Sequence, residues 1–295
     1  MVSLILNPKA GRGKAEKHLP EVLKILDVKN IKYDLYRTEY RGHATEIARK
    51  IVNQNPEKVL VLGGDGTINE VIQAFVSTNI SLLPLPLGTG NDFVKYLYPR
   101  KKFDTVLKEK INSDKSIKID LILMETQGMK RYFINGMGIG FDSEVLKNME
   151  KIKLLKGDFL YTAAVIMTFF KFKGLKLKVT LNKIKKRLEK HFLLFNVGNG
   201  QYLGGGFRLF PRAKLTDHLM DISMVTPVGV LEFFGSLLKA FKGTHIYRKE
   251  VSYLKDSEIL IESDNPLVLQ VDGELIEGVK WLKLRVVPSC LKVSI

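Results

Sequence analysis

The sequence predicts an α/β domain with a mainly parallel sheet, followed by a larger β-rich domain carrying helical inserts. Three observations carry this fold class. Strand-like and helix-like segments alternate over the first 98 residues, the pattern of βαβ units. From about residue 116, strand patterns joined by turns replace that alternation, as an antiparallel arrangement requires. Three glycine-rich turns each follow a strand-like segment of the first half, which would place them on one edge of a parallel sheet.

Each element has its own signal. "VSLILN" (2–7) is an apolar strand, and "KAEKHLPEVLKILD" (14–27) has helical periodicity. "KYDLYRT" (32–38) and "HATEIARKIVNQ" (43–54) repeat the pair. "KVLVLGG" (58–64), "TINEVIQAFVS" (67–77), "SLLPLPLG" (81–88) and "NDFVKYLY" (91–98) complete the first set. Beyond it, strands are expected at "IKIDLILMET", "KRYFINGMGIG", "LKLKVTL", "KHFLLFNVGNG", "LMDISMVTPV", "SEILIES" and "PLVLQV". Helical inserts interrupt them at about 142–173 and at 229–243. The resulting domains are 1–118 and 119–288, with the strand-like end, 289–295, a candidate to return to the first. No internal repeat or low-complexity linker is visible.

Composition bounds the function. The chain has 295 residues, 45% hydrophobic and 26% charged, and no apolar run approaches the roughly 20 residues that span a bilayer. The opening "MVSLILNPKAGRGK" has no basic residue ahead of its apolar stretch and no cleavage-site pattern, so it reads as a strand. The single Cys290 excludes an internal disulfide, suits a cytoplasmic location and most simply fills a small core position. The net charge of +16 favours an anionic partner. Without an RNA-binding signature, zinc-finger spacing or stacking platform, nucleic acid is the weakest such partner. An anionic membrane surface or an anionic small substrate fits better.

The glycine turns are "NPKAGRGK" (7–14), "GGDGT" (63–67) and "PLGTGNDF" (86–93). None has Walker or Rossmann spacing. Open backbone N–H groups at one sheet edge would still make an anion site. Asp65 stands in the middle of it, where a bare phosphate would be repelled.

These residues resemble the diacylglycerol kinase catalytic family, in its soluble bacterial lipid-kinase branch related to sphingosine kinases. "GGDGTINEV", "NPKAG" and "PLGTGNDF" carry the likeness, followed in order by "GMGIGFDSEV", "NVGNG", "GGGFRLFPRAKLTDHLMD" and "VDGE". NAD kinases and phosphofructokinases have similar Gly-Gly-Asp-Gly segments, whereas the ordered set is specific. The resemblance implies an ATP-binding domain, a C-terminal β-sandwich and a cleft between them. ATP would contact Asn7, Pro8, Lys9, Ala10 and Gly11, the loop Gly63, Gly64, Asp65, Gly66, Thr67, Ile68, Asn69 and Glu70, and also Thr38 and Thr89. Asp65, Asp92 and Asp120 would form a water-mediated magnesium network. Read alone, Asp92 is equally a helix-start cap, Thr38 a strand-end cap and Asp120 a hairpin or surface residue.

"VLQVDGELIEG" reads by itself as a type I′ hairpin. The resemblance makes Asp272 or Glu274 the general base on the lipid hydroxyl. It also implies a second metal site formed by the Asp217 side chain and the backbone carbonyls of Lys214 and Leu219. The family's Asp-Gly is Asp217-His218 here, which challenges that site; His218 by itself reads as an exposed loop residue. The expected activity is ATP- and magnesium-dependent phosphorylation of a lipid hydroxyl, diacylglycerol first, at a peripheral membrane surface. Family members often pair, so a homodimer is an open expectation. The rival readings are a kinase of another lipid alcohol or of NAD, and a non-catalytic lipid- or nucleotide-binding regulator.

Overall fold

Four strands, β1 (Val2–Leu6), β2 (Tyr33–Arg37), β3 (Lys58–Gly63) and β4 (Ser81–Pro86), pair in parallel in the spatial order β2-β1-β3-β4. The structure is a computed structural model and describes residues 1–151, 157–183 and 185–295. β1 and β3 are buried along their whole length, so they read as continuous apolar runs and not as alternating ones. The crossovers are α1 (Ala10–Val28), α2 (His43–Gln54) and α3 (Asp65–Phe75). Ala15, Leu19, Val22 and Leu26 of α1, and Ala44, Ile47, Ala48 and Ile51 of α2, recur at helical spacing and face the sheet. Two short helices follow, α4 (Asp92–Leu97) and α5 (Phe103–Lys110). α5 was not among the elements expected from the sequence. The buried Lys58 ammonium closes its end, donating to the carbonyls of Lys110, Ile111 and Ser113 at 2.7, 2.8 and 3.1 Å.

The second half is antiparallel: β5 (Ser116–Thr126), β6 (Met129–Phe133), β7 (Gly136–Gly140), β8 (Leu175–Leu181), β9 (Lys186–Phe192), β10 (Leu194–Gly198), β11 (Met220–Val225), β12 (Val251–Asp256), β13 (Glu258–Val271) and β14 (Glu274–Ser294). The inserts are α6 (Phe141–Lys151), α7 (Gly157–Lys171) and α8 (Val230–Lys242); residues 152–156 of the first expected insert lie outside the described residues. Three strand expectations are corrected. Residues 130–140 form two strands, because the N–H groups of Ile134, Asn135 and Gly136 turn to the Asp272 carboxylate. Residues 190–200 also divide, β9 pairing with β8 and β10 with β7 and β11. "SEILIES" and "PLVLQV" are one strand whose register shifts between Glu262 and Leu267, a bulge that accommodates Pro266. β12 is an addition that the mixed segment "VSYLKD" did not announce.

β13 changes neighbours around its bulge, Ile259–Glu262 pairing with β8 and Leu269–Val271 with β7. The layers so formed close over a core of Leu177, Val179, Phe195, Ile222, Leu269 and Leu282, giving the sandwich-like second lobe. β14 runs along β13 and β5 and ends beside β4, with Val293 paired to Leu82. One hydrogen-bonded sheet of 14 strands therefore passes through both lobes. β5 is shared in the same way, Ile119 and Leu121 packing into the first core and Ile122 and Met124 into the second.

Candidate active site

The turns after β1, β3 and β4 meet at the carboxyl edge of the parallel sheet. A Cβ on Gly88 would stand 2.3 Å from Gly64 Cα, and one on Gly11, at φ +60°, only 2.4 Å from the Leu87 carbonyl oxygen. Hydrogen in place of a side chain is what lets the turns pack this closely. Between them opens a cleft of about 480 Å³ bordered by Asn7, Lys9, Ala10, Gly11, Thr38, Gly64, Asp65, Gly66, Thr67, Glu70 and Thr89. Asn7 Nδ2 donates to Thr67 Oγ1 at 3.0 Å, tying the first turn to the start of α3, and Glu70 Oε2 accepts from Ala44 N at 3.1 Å. The first turn of α3 thus borders the cleft, where a helix N-terminus favours an anion. Pro8, Gly63, Ile68 and Asn69 do not border it; Ile68 and Asn69 are fully buried. Tyr40, Arg41 and Glu274 do border it, and the first two carried no sequence signal.

Asp65 leaves its own helix uncapped. Its carboxylate reaches across to α4, Oδ2 accepting from Asp92 N and Oδ1 from Phe93 N, each at 3.1 Å, with Asn135 Nδ2 at 3.3 Å. The Asp92 side chain does not cap α4; its Oδ2 accepts from Gly205 N at 2.8 Å, while its buried Oδ1 has no partner among the described residues. Burial, and then the neighbouring Asp65, push the Asp92 carboxyl up to about 6. The two carboxylates lie 3.1 and 4.0 Å from the point where a Gly90 Cβ would stand. Two adjacent carboxylates with an unsatisfied oxygen fit a hard divalent cation. Asp120 is placed elsewhere: it borders neither this cleft nor the cavity below, and its oxygens accept from Ser289 N at 2.8 Å, His218 N at 2.8 Å and His218 Nδ1 at 3.0 Å.

Asp272 and Gly273, at φ 47° and 87°, make the left-handed turn between β13 and β14 that the sequence suggested. The same turn drives the Asp272 side chain inward. Ile134 N, Asn135 N, Gly136 N and Asn69 Nδ2 donate to its two oxygens at 3.0, 3.0, 2.9 and 2.6 Å. Burial still lifts this carboxyl above its ordinary range, against the pull of those donors. Glu274 pairs with Arg131, and with Arg41 at 3.2 Å; although burial opposes them, the two guanidinium groups hold it below the usual carboxylate range. Arg131 also donates from Nε to Asn69 Oδ1 at 3.1 Å, so Asp272, Asn69, Arg131 and Glu274 form one chain of contacts. Asn69 was expected at the nucleotide, and Arg131 and Asn135 carried no sequence signal.

Beside the cleft lies a second cavity of about 580 Å³, walled by apolar residues of α6 and α8 such as Phe141, Val145, Phe233 and Leu237. The two share Asp65, Thr89 and Gly90, and Asp272 borders the apolar one. In the apolar wall, Asp142 Oδ2 accepts from Gln270 Nε2 at 3.3 Å, and burial pushes this carboxyl up to about 6.

The residues of the second expected metal site do not fit an ion. Asp217 Oδ2 already accepts from Lys255 Nζ at 2.7 Å. His218 occupies the glycine position at φ 59° with its ring and N–H turned to Asp120. Lys214 is exposed, and among the described residues no cluster of three or more His, Cys, Asp or Glu could hold a metal.

A polar cleft beside a helix N-terminus, opening past the shared Asp65 onto an apolar cavity, is a layout that suits a kinase whose acceptor is a lipid. Residues 1–124 match the diacylglycerol kinase catalytic domain, and residues 136–295 match the YegS C-terminal NAD kinase beta sandwich-like domain. The chain belongs to the diacylglycerol kinase catalytic-domain family and is a lipid kinase. It is 29% identical over 282 residues to a diacylglycerol kinase of Staphylococcus carnosus (strain TM300), covering 92% of this chain and 87% of that one. Against a diacylglycerol kinase of Bacillus subtilis (strain 168) the identity is 26%, with 92% and 88% covered. The crystal structure of a diacylglycerol kinase from Bacillus anthracis str. Sterne shares the fold, with TM-score 0.73 at 22% identity over 99% of this chain and 95% of that one.

Proposed function

We propose that the protein transfers the γ-phosphoryl group of ATP, taken as its magnesium complex, to a lipid hydroxyl, with diacylglycerol the leading acceptor. The observation that carries this reading is the sharing of Asp65, Thr89 and Gly90 by the polar cleft and the apolar cavity. A phosphate in one and a hydroxyl entering from the other would meet there. Phosphoryl transfer asks of a protein chiefly positioning and charge stabilisation. The turns at Gly11, Gly64 and Gly88 shape the phosphate cradle, and Asp65 and Asp92 would hold the divalent ion. That ion, when bound, neutralises phosphate charge.

Asp272 takes the hydroxyl proton, because it borders the apolar cavity, whereas Glu274 faces the cleft and is paired with two arginines. Of the four donors on Asp272, only Asn69 is a side chain, so it is the one that can yield. Glu274 acts through Arg131 to position Asn69. The relatives named diacylglycerol kinase support the choice of acceptor. The test is transfer of labelled phosphate from ATP to diacylglycerol, monoacylglycerol and a long-chain base in micelles, and to NAD in buffer. Label should enter diacylglycerol, with Asp65→Asn reducing it about 100-fold or more. Label in NAD alone, or lipid binding without transfer, would sink the reading.

We further propose that the enzyme is cytoplasmic and takes its substrate from an anionic membrane surface through α8. Among the described residues no helix is long and apolar enough to cross a membrane. α8 is apolar on two sides: Phe233, Leu237 and Ala240 wall the cavity, while Leu231, Leu238 and Phe241 are 86%, 72% and 52% exposed. Phe170 of α7 is exposed too, beside Phe169, which packs on Phe233 and Phe234 of α8, and Lys239 and Lys242 lie in the last turn of α8. Such a helix suits the headgroup boundary. Leu231→Glu with Leu238→Glu should abolish sedimentation with anionic vesicles while a short-chain soluble acceptor is still phosphorylated. Undiminished vesicle binding would refute the assignment, and concentration-dependent pairing lost in the variant would make the face a dimer contact instead.

A further inference from the structure

The loop that joins the glycine-rich segment to β11 is closed by a cation that belongs to the chain. Lys255 lies directly across from Asp221 in the β11–β12 ladder. Its ammonium stands 2.7 Å from Asp217 Oδ2, 2.9 Å from the Arg212 carbonyl oxygen and 3.2 Å from Asp221 Oδ2. The first two contacts are hydrogen bonds, and the third is an ion pair with an oxygen that accepts no hydrogen bond among the described residues. Asp221 is fully buried, and its other oxygen accepts from Tyr253 Oη at 2.5 Å. Without a positive charge beside it, that carboxylate would be a buried, unpaired one.

The neighbouring residues are also committed to protein partners. Asp217 Oδ1 accepts from Leu219 N at 3.3 Å, which draws the loop back on itself. His218, held at a left-handed φ of 59°, donates its N–H to Asp120 on β5 and sets its ring nitrogen 3.0 Å from the same carboxylate. A divalent ion on Asp217 would sit against an ammonium already 2.7 Å from the oxygen it needs. Two cations would then compete for one carboxylate, and the tethered one pays no translational entropy.

We propose that Lys255 is the resident cation of this loop, and that the loop folds without the divalent ion its aspartate would otherwise hold. The contacts of Lys255 with Asp217, Asp221 and Arg212 carry the proposal, and it does not depend on which lipid is phosphorylated. Divalent ions would then act on this protein only at the cleft.

Thermal midpoints in EDTA, magnesium chloride and calcium chloride, without nucleotide, test this for the wild-type protein, Asp217→Asn and Lys255→Gln. In the wild type, any metal-induced rise should be identical in Asp217→Asn, since it arises at the cleft carboxylates. Lys255→Gln should melt lower than wild type in EDTA by about 3 °C or more. A wild-type rise of about 3 °C or more that disappears in Asp217→Asn would overturn the proposal. So would a Lys255→Gln protein as stable in EDTA as the wild type. If Lys255→Gln does not fold, Lys255→Arg, which keeps the charge, should fold and stay indifferent to metal through Asp217; a metal requirement in that variant would also overturn the proposal.

Discussion

Asp272, which we propose as the base, is also a structural clamp. Its four donors come from residues 69, 134, 135 and 136, so its setting exists only after both lobes have closed. Asp272→Asn keeps the shape but turns an amide N–H₂ towards backbone N–H groups. Phosphoryl transfer should fall at least about 1,000-fold, with about 1–3 kcal/mol of stability lost, read by steady-state turnover and urea unfolding. Activity within tenfold of wild type would remove it as the base. Asp142 gives a pH signature. Its folded value of about 6 lies above that of an unfolded aspartate, so its stabilising contribution is complete below about pH 4 and is lost as pH rises through 6. Asp142→Asn should therefore gain about 1–3 kcal/mol over wild type at pH 8 and nothing at pH 4, by urea unfolding at each pH. At this scale Asp65, Asp92 and Asp272 were legible in short motifs. Arg131 and Asn135 were not, because they meet partners such as Glu274 and Asp65 only through tertiary contact.

Among the elements, those with a strong period were legible and those set by distant partners were not. α1, α2 and α3 announce themselves by apolar spacing. The break between β6 and β7 does not, since it is imposed by a side chain about 137 residues further along. α5 is the same kind of case, because its end depends on the ammonium of Lys58 from β3. Lys58→Met would leave three carbonyls without their donor and should lower stability by about 2–3 kcal/mol in urea unfolding. A variant as stable as wild type would show that water replaces the lysine at no loss. The glycine turns were readable for another reason: a Cβ at Gly88 or Gly11 would come within 2.3 or 2.4 Å of neighbouring backbone, which demands glycine whatever else surrounds them.

In the whole molecule the two-lobe architecture was legible from the change in patterning near residue 116, but the continuity of the sheet was not. Pairing between β14 and β4 rests on Val293 and Leu82, and Ser81 Oγ lies 2.9 Å from Ser294 Oγ. Tyr98 Oη donates to the Ser294 carbonyl at 2.6 Å. With β5 and β14 contributing to both cores, the lobes should melt in one calorimetric transition. Two resolved transitions would show that the shared strands do not couple them. The position of β14 also bears on synthesis at the ribosome. The outer edge of β4 gains its partner only from a strand translated after every other strand of the sheet. Until then the nascent first lobe carries an open β-edge, so the growing chain is most exposed to mispairing just before the residues that complete both lobes emerge.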